Sequence, residues 1–324
     1  MNPKISIIIP CKEIDSYTEK CVGECLKQDY DNFEIYVLPD ERDRTKESKI
    51  KNKKVKIIAT GCVKPSIKRN LGMAKSVADF YGFIDSDAYP IKGWLSNSMK
   101  YFKKKEIGIV GGPNLTPPEG NFWEHVSGHV LSNFFASGAA DIRYKIAKTR
   151  YTHELPSCNY ITRREAACEY NSCFLTAEDS EFCFACVERG YRVLYAGDVV
   201  VFHHRRDSLG KHLKQMFIYG RDIVWLLKER FSIWQAYYSI MSIFVIGFFV
   251  FLIGSFFSSV IRVLFIVGLI AYGLVMFLTS IYENLGVTIW TTIATVLTHF
   301  AYGFGFLKGL FWRNPMLEGG EGVR

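Results

Sequence analysis

Short apolar runs alternate with amphipathic stretches over the first third of the chain. Five runs rich in β-branched residues predict buried strands, because strands that are covered on both faces are apolar at nearly every position. These runs are 5–9, 33–38, 55–59, 80–84 and 107–111. Helix-like apolar spacing lies between them, at 16–28, 66–78 and 92–103. Strands that alternate with helices predict an α/β domain with a mostly parallel sheet, covered by helices on both faces.

The middle of the chain is less regular. A loop rich in proline and glycine is predicted at 111–120, and a helix at 178–189 lies between short strands at 159–162 and 199–203. In the following stretch, 211–236, lysines and arginines are interleaved with Phe, Trp and Leu. This pattern is typical of an amphipathic helix in the headgroup region of a membrane, and a helix packed on the preceding domain is the equal alternative.

Three segments without Asp, Glu, Lys or Arg follow, at 237–257, 263–281 and 285–307. Each has about the 20 residues that a helix needs to cross a bilayer. They predict a soluble domain over 1–210, a transmembrane region of two to three helices over 237–307, and a tail over 308–324. The opening "KISIIIPCKE" lacks the apolar length and the cleavage site of a secretory signal.

Charge and cysteine content narrow the class of protein. The 324 residues carry a net charge of +8, nearly all of it before the apolar segments. A basic domain beside a membrane suits anionic headgroups or phosphorylated substrates, and no nucleic-acid module is apparent. The 9 cysteines are odd in number and irregularly spaced, which predicts free thiols in a reducing compartment.

The stretch "YGFIDSDAYP" places Asp85 and Asp87 just after a predicted strand. Residues i and i+2 of an extended segment point the same way, so the two carboxylates can face one site. One or two carboxylates together with phosphate oxygens form a ligand set for a divalent cation. Two aspartates with this spacing also occur in surface turns. Their position after a strand favours a site, because α/β sheets bind ligands at the carboxyl ends of their strands.

Further polar candidates lie upstream and downstream of this pair. In "PSIKRNLGMA", Arg69 lies at a helix start, where an anion site and a solvated first turn are both possible. Glu178 and Asp179 begin a predicted helix, where a carboxylate can either cap the helix or accept a proton from a nucleophile. In "VVVFHHRRDS", His203 or His204 can complete a cation's ligand set or pack inside the domain. The cations that can contact a leaving diphosphate are Arg205 and Arg206.

The order of these motifs resembles family 2 glycosyltransferases of the GT-A fold. It is most similar to the membrane-anchored, succinoglycan-type enzymes that build exopolysaccharide or lipid-linked glycans. The resemblance covers 4–230 and the membrane tail. It rests on nine ordered motifs: "SIIIPCKE", "FEIYVLPD", "PSIKRNLG", "YGFIDSDAYP", "VGGPNL", "LPSCNYITRRE", "TAEDSEF", "GYRVLYAGDVVVFHHRR" and "QMFIYGR".

The resemblance implies an activity and its partners. Such a protein is an inverting, metal-dependent glycosyltransferase that uses Mg²⁺ or Mn²⁺ and a nucleotide-sugar donor. Its acceptor is a lipid-linked glycan or a polyprenyl phosphate, and nucleic acid has no part in the reaction. The fold implied is a Rossmann-like nucleotide-diphospho-sugar transferase domain followed by membrane helices. The resemblance also implies an integral membrane protein whose catalytic domain is cytoplasmic.

The resemblance assigns the donor site to the first half of the chain. Pro10 and Glu13 match a loop that contacts the nucleoside, and Asp40 matches an aspartate that hydrogen-bonds the base. Arg69 matches an arginine beside the nucleotide. Two departures stand out: the usual "DDGSTD" is "LPDERDRT" here, which retains only Asp40 with assurance, and Lys12 replaces an asparagine.

The resemblance assigns the reaction to four acidic residues and a histidine. Asp87 matches a direct metal ligand, and Asp85 matches an aspartate nearer the ribose. Asp179 matches the catalytic base, with Glu178 beside it in the substrate site. His203 matches a histidine that ligates the metal in some relatives, with His204 as the adjacent alternative. For Asn159, orienting the donor or acceptor and a structural role are equally open.

Two other functions stay open from the sequence. A processive polysaccharide synthase would carry a Q-x-x-R-W motif, whereas the nearest match is "QMFIY". A catalytically inactive membrane adaptor that binds nucleotide is disfavoured, because Asp87 and Asp179 are retained.

The number of membrane crossings is also open. Basic residues before the first apolar segment predict a cytoplasmic catalytic domain. Three crossings would place Lys308 and Arg313 on the far side, against the same charge rule. Partial entry of 285–307 into the bilayer is therefore the alternative to a third span.

Overall fold

The computed structural model describes residues 2–174, 176–231, 233–282, 284–312 and 314. These residues group into two compact units. The first unit contains the residues up to 117 together with 142–204, and the second contains 118–141 and the residues from 205 onwards. The boundary expected near 210 included 118–141 in the first domain, whereas in the structure this segment groups with the C-terminal helices. Of the predicted tail, Arg313 and residues 315–324 lie outside the described residues.

The strands and the helices are each given in chain order. The strands are β1 (Ile5–Pro10), β2 (Phe33–Leu38), β3 (Val55–Ile57), β4 (Phe80–Phe83), β5 (Ala88–Pro90), β6 (Ile107–Gly111), β7 (Asn114–Leu115), β8 (Arg150–Thr152), β9 (Tyr160–Arg163), β10 (Arg192–Tyr195) and β11 (Val201–His203). The α-helices are α1 (Ser16–Leu26), α2 (Arg44–Lys49), α3 (Pro65–Lys75), α4 (Trp94–Tyr101), α5 (Phe122–Ser132), α6 (Phe134–Ser137), α7 (Glu178–Glu188), α8 (Leu209–Glu229), α9 (Ile240–Phe257), α10 (Ser259–Leu278) and α11 (Leu285–Phe311). Two 3₁₀ segments lie at Gly138–Tyr144 and Ile233–Ser239.

The first unit is built on an eight-stranded sheet of order β3-β2-β1-β4-β9-β6-β10-β8. β1 pairs in parallel with β2 and β4, and β6 pairs in parallel with β10. β9 lies between β4 and β6 and is antiparallel to both, and β8 is antiparallel to β10. The predicted α/β domain with a mostly parallel sheet is confirmed. The antiparallel β9 in the middle of the sheet is a feature that apolar periodicity does not reveal.

The buried apolar strands explain where the site forms. Every residue of β1 and β2 is buried, with Ile7 opposite Ile35, because both faces of these central strands are covered. Since β1, β2 and β4 are parallel, their carboxyl ends meet at one edge of the sheet. Asp40 and Asp85 follow β2 and β4 at this edge.

Strands β1, β2, β3, β4 and β6 and helices α1, α3 and α4 form where the apolar pattern predicts them, with ends shifted by a few residues. The shorter elements β5, β7, β8, β10 and α2 were not predicted. Neither was α5, although its N-terminus carries a capping box in which Asn121 and Glu124 each bond the other's backbone N–H. An Asn followed three residues later by Glu is a recognisable helix start.

The second unit contains three helices that are long and apolar enough to cross a membrane. α9 and α10 form an antiparallel hairpin with only Ser258 between them, in which Phe244 lies 5.1 Å from Tyr272 between ring centroids. Nearer the turn, the ring centroids of Phe248 and Phe265 are 5.5 Å apart. The amphipathic segment predicted at 211–236 corresponds to α8, which ends earlier, at Glu229.

Candidate active site

An acidic pair and a histidine meet beyond the end of β4. Asp85 and Asp87 lie in the turn that leads to β5, and β5 pairs antiparallel with β11 so that Ala88 is opposite His203. Ligand atoms of Asp85, Asp87 and His203 all lie within 4.8 Å of one another. Burial lowers the pKa of His203, but the Asp87 carboxylate, 3.2 Å from Nε2, opposes it and the pKa rises to about 10.

The structure separates the two adjacent histidines that the sequence left unresolved. The His204 ring lies edge-on to Tyr17, with 4.6 Å between ring centroids, and 6.5 Å from the ring centroid of Tyr89. Its backbone N–H donates to the carbonyl of Asp87 at 3.0 Å. His203 is therefore the imidazole that accompanies the two carboxylates, and His204 packs against aromatic rings.

Arg69 contacts both the turn that carries Asp85 and Asp87 and the start of α7. It lies in α3 and is 3% exposed. One terminal nitrogen donates to Asp85 Oδ1 at 2.7 Å and the other to Glu178 Oε1 at 3.1 Å. Burial lowers the pKa of Arg69, but the neighbouring carboxylates raise it above its ordinary value, so the guanidinium stays charged. This one side chain brings the "DSD" and "EDS" motifs into the same site.

Asp179 is held by backbone donors near the start of α7. Its Oδ1 accepts from the backbone N–H of Ser180 at 2.8 Å, and its Oδ2 accepts from that of Ser157 at 3.3 Å. Burial raises the pKa of Asp179 and, more strongly, that of Glu178. A carboxylate with a raised pKa is better suited to accept a proton near neutral pH than an ordinary aspartate is.

No sequence motif points to Arg143 and Glu154, yet both act on Asp179. The two side chains form an ion pair in which Arg143 is 17% and Glu154 is 7% exposed. Burial has the largest effect on the pKa of Asp179 and raises it. The charge of Arg143 lowers this pKa, and the charge of Glu154 raises it. The pair therefore influences how readily Asp179 binds a proton.

A cleft of about 700 Å³ opens beside the loops that follow β1 and β2. Lys12, Glu13 and Asp40 line it, as does the exposed Cys62. Glu13 forms an ion pair with Lys46, another lining residue. Glu13 and Asp40, two of the residues that the family resemblance assigns to the nucleoside, thus lie along one cleft, and Lys12 adds positive charge there.

The end of β1 holds the loops of this cleft in place. Pro10 is the last residue of β1 and lies opposite Leu38 at the end of β2. Lys68, from α3, is 3% exposed and donates to the carbonyls of Cys11 at 2.6 Å and Leu38 at 3.3 Å. The same ammonium group pairs with the Asp40 carboxylate.

Three other candidates have their contacts elsewhere. Asn159, just before β9, is fully buried: its Oδ1 accepts from Trp94 Nε1 at 2.8 Å, and its Nδ2 donates to two backbone carbonyls, those of Pro113 and Val199. These bonds give Asn159 a place in the core. Arg205 and Arg206 belong to the second unit. There the backbone N–H of Arg205 donates to Glu124, and Arg206 Nε donates to Gln215 at 3.2 Å.

The ligand atoms of Asp85, Asp87 and His203 fit a divalent cation. Two carboxylates and one imidazole offer oxygen and nitrogen atoms within 4.8 Å of one another, which is close enough to share one ion. Such hard oxygen ligands with one imidazole suit Mg²⁺ and Mn²⁺. The close approach of His203 Nε2 to Asp87 shows that both groups face a common point.

Comparison with known proteins bears on the family and the fold of this chain. Residues 6–170 match the family model described as "Glycosyl transferase family 2". A relative from Methanococcus voltae is 24% identical over 97% of this chain and 99% of its own length. It is named dolichyl N-acetyl-alpha-D-glucosaminyl phosphate 3-beta-D-2,3-diacetamido-2,3-dideoxy-beta-D-glucuronosyltransferase. An uncharacterised glycosyltransferase from Haemophilus influenzae is 29% identical over 34% of this chain and 46% of its own.

A solved structure has the same fold over nearly the whole chain. It is the mannosyltransferase PcManGT from Pyrobaculum calidifontis, in complex with GDP-Man and Mn²⁺. The TM-score is 0.67 at 15% identity, and the match covers 96% of this chain and 88% of the mannosyltransferase. The likeness confirms a GT-A-like α/β fold with apolar C-terminal helices.

Proposed function

Because the chain belongs to glycosyl transferase family 2, we propose that it transfers one sugar from a nucleotide-diphosphate sugar to a lipid-linked acceptor, with inversion at the anomeric carbon. The observation that carries this proposal is the position of Arg69 between Asp85 and Glu178. Through it, a candidate cation site and Glu178, the sequence neighbour of the candidate base Asp179, lie on two sides of one buried guanidinium.

The donor is held by residues of the first unit. Asp40 and Glu13 line the cleft that would receive the nucleoside. Asp85 would lie nearer the ribose. Asp87 and His203 would hold Mg²⁺ or Mn²⁺, which when bound offsets the charge that develops on the leaving diphosphate. Arg69 adds a fixed positive charge beside Asp85.

Asp179 acts as the general base. Its carboxylate accepts the proton of the acceptor hydroxyl as the hydroxyl oxygen forms a bond to the anomeric carbon. The bond from that carbon to the diphosphate oxygen breaks at the opposite face, and its electron pair leaves with the diphosphate. The backbone N–H groups of Ser157 and Ser180 orient the Asp179 carboxylate for this role. A single displacement of this kind inverts the anomeric configuration.

The acceptor class is proposed from the membrane helices and from one relative. The Methanococcus voltae protein is named for a dolichyl-phosphate-linked acceptor, and its match extends over the membrane helices of this chain. A polyprenyl-type lipid with a phosphate-linked sugar is therefore our candidate acceptor. Basic residues near the first apolar helix, Arg221, Lys228 and Arg230, favour a cytoplasmic catalytic unit, where nucleotide sugars are made.

The test is a transfer assay with the detergent-purified full chain, polyprenyl-phosphate-linked acceptors, and UDP- and GDP-sugars. We expect Mn²⁺-dependent addition of one sugar with inverted configuration, and a loss of about 10²-fold or more in kcat for Asp179→Asn. Asp31→Asn, which changes an exposed aspartate outside the site, is the matched control. Full activity of Asp179→Asn would contradict the base assignment. A long polymer from the purified protein would instead support a processive synthase, and equal use of water-soluble acceptors would contradict the lipid acceptor.

A further inference from the structure

The contacts of α11 bear on how many times the chain crosses the membrane. α9 and α10 are antiparallel along their length, so the start of α9 and the end of α10 lie at the same end of the hairpin. If both helices cross the bilayer, α11 begins on the face of the membrane at which α9 begins. A third crossing by α11 would then place its C-terminal end on the opposite face.

The C-terminal end of α11 is instead bound to α8, the helix that precedes α9. Lys228 Nζ donates to the carbonyls of Gly309 at 2.8 Å and Leu310 at 2.9 Å. The indole N–H of Trp225 donates to the carbonyl of Trp312 at 3.0 Å. These bonds satisfy carbonyls that the end of a helix leaves without partners. The end of α11 therefore lies beside the end of α8.

α8 and the second half of α11 also run side by side. A Cβ built on Gly305 would lie 2.0 Å from the carbonyl oxygen of Phe217, and one built on Gly309 would lie 2.5 Å from that of Arg221. Only glycine permits so close a backbone approach. α8 carries exposed lysines, Lys211 and Lys214 among them, which are costly in hydrocarbon. If α8 lies at the membrane surface, the half of α11 that runs beside α8 lies there too.

The two faces of α11 differ in the way that a surface helix requires. Its buried face carries the threonines Thr291, Thr295 and Thr298. The last of these contacts His212, which lies 2.8 Å from Ser127 Oγ and 3.0 Å from Thr298 Oγ1. Its exposed face is apolar at a spacing of four residues, from Leu285 through Ile289, Ile293 and Leu297. This division is typical of a helix in the interface plane with its apolar face in lipid.

Contacts with the hairpin lie between its open end and its middle. The ring contacts of α11 with α9 and α10 come from His299, Phe300 and Phe304, which meet Phe244, Phe249 and Tyr272 among other rings. His299 Nε2 donates to the carbonyl of Phe135 at 2.9 Å, and its Nδ1 accepts from Tyr272 at 2.6 Å. The segment after α5 is therefore tied to the same place.

We propose that α11 does not cross the bilayer but lies along its surface, so that the α9–α10 hairpin makes two crossings and the end of α11 stays on the face where α8 lies. The apolar face of α11 is a lipid-binding surface that is continuous with the hairpin. Two crossings also remove the conflict between Lys308 and the charge rule, because Lys308 then lies on the same side as the basic residues of α8.

Cysteine labelling of the full chain in membranes tests this topology. In a Cys62→Ser background, which removes the exposed native thiol, single variants Leu310→Cys, Lys214→Cys and Phe257→Cys are treated with a membrane-impermeant maleimide. Intact cells and inverted vesicles present opposite faces of the membrane. We expect Leu310→Cys to be labelled in the same preparation as Lys214→Cys, and Phe257→Cys, at the hairpin turn, in the other. Labelling of Leu310→Cys together with Phe257→Cys would overturn the proposal.

A second measurement covers the case in which lipid shields position 310 in both preparations. An epitope tag placed after Arg324 is then digested by external protease in each preparation. Digestion in the preparation that labels Lys214→Cys supports the surface helix. Digestion in the preparation that labels Phe257→Cys overturns it.

Discussion

Lys68 holds the Asp40 carboxylate from inside the protein. Its ammonium group pairs with Asp40 and donates to the carbonyls that end the β1 and β2 segments, while only 3% of the side chain is exposed. A residue of α3 thus fixes two loops and the carboxylate that lines the cleft between them. If Asp40 binds the base, the position of its carboxylate depends on Lys68, which lies inside the protein.

Replacing Lys68 by Met tests this dependence. The change leaves Asp40 beside two carbonyls without its cation, and removal of one partner from a buried ion pair costs about 3–5 kcal/mol. Because the Asp40 side chain is 17% exposed, we expect the lower end of that range, together with a rise in the donor KM that exceeds the change in kcat. Thermal unfolding in detergent and donor kinetics measure both. Lys49→Met, which breaks an exposed pair with Glu19, is the control and should change stability by under about 1 kcal/mol.

The bridge made by Arg69 is expected to show energetic coupling. Arg69→Met leaves Asp85 and Glu178 without their shared cation, and we expect a loss of about 3–5 kcal/mol in unfolding free energy. Glu178→Gln removes one of the stranded charges, so the double variant should lose less than the sum of the single losses, with a coupling of about 1 kcal/mol or more. The exposed pair Lys27 and Glu24, taken through the same cycle, should couple by under about 0.5 kcal/mol. Additive losses at Arg69 and Glu178 would show that the bridge carries no net energy.

The pH profile should reflect the buried environment of Asp179. Burial raises the pKa of this group, and a protonated carboxyl group cannot accept a proton. Activity is therefore lost as the pH falls through the raised pKa, at a higher pH than for an exposed aspartate. Since the charge of Arg143 lowers the pKa of Asp179, Arg143→Met should move the acid limb of kcat/KM further upward, while Arg143→Lys should leave it nearly in place. An acid limb that does not move in Arg143→Met would contradict this electrostatic link.

The two adjacent histidines provide a matched test of the cation site. His203→Gln removes the nitrogen that lies near Asp85 and Asp87, so the Mn²⁺ concentration for half-maximal activity should rise by about ten-fold or more. His204→Gln changes a ring that packs on Tyr17, and the same Mn²⁺ concentration should stay within about two-fold. Titration of activity with Mn²⁺ measures both variants. A larger shift for His204→Gln would mean that the neighbouring ring holds the ion.

The parallel half of the sheet and the helices that are apolar enough to cross a membrane were predictable from the sequence, because each depends on a local pattern. β1, β2 and β4 are apolar at nearly every position, and so are α9 and the part of α10 that follows Arg262. A strand that is covered on both faces is apolar at consecutive positions, and so is a helix that is suited to lipid. The "DSD" motif was recognisable for the same reason, since its spacing and its place after a strand are local features.

Tertiary structure alone decided which residues meet. The ion pair of Arg143 and Glu154 acts on Asp179, and Lys68 pairs with Asp40. The sequence around these residues does not predict either contact. The choice of His203 over His204 follows from the pairing of β11 with β5, which directs one ring to the carboxylates. The grouping of 118–141 with the C-terminal helices likewise rests on side chains that pack between helices distant in sequence, such as His212 between Ser127 and Thr298. Local sequence patterns indicate whether a residue is buried. They do not identify the distant residues that cover it, because those contacts form only when the chain folds.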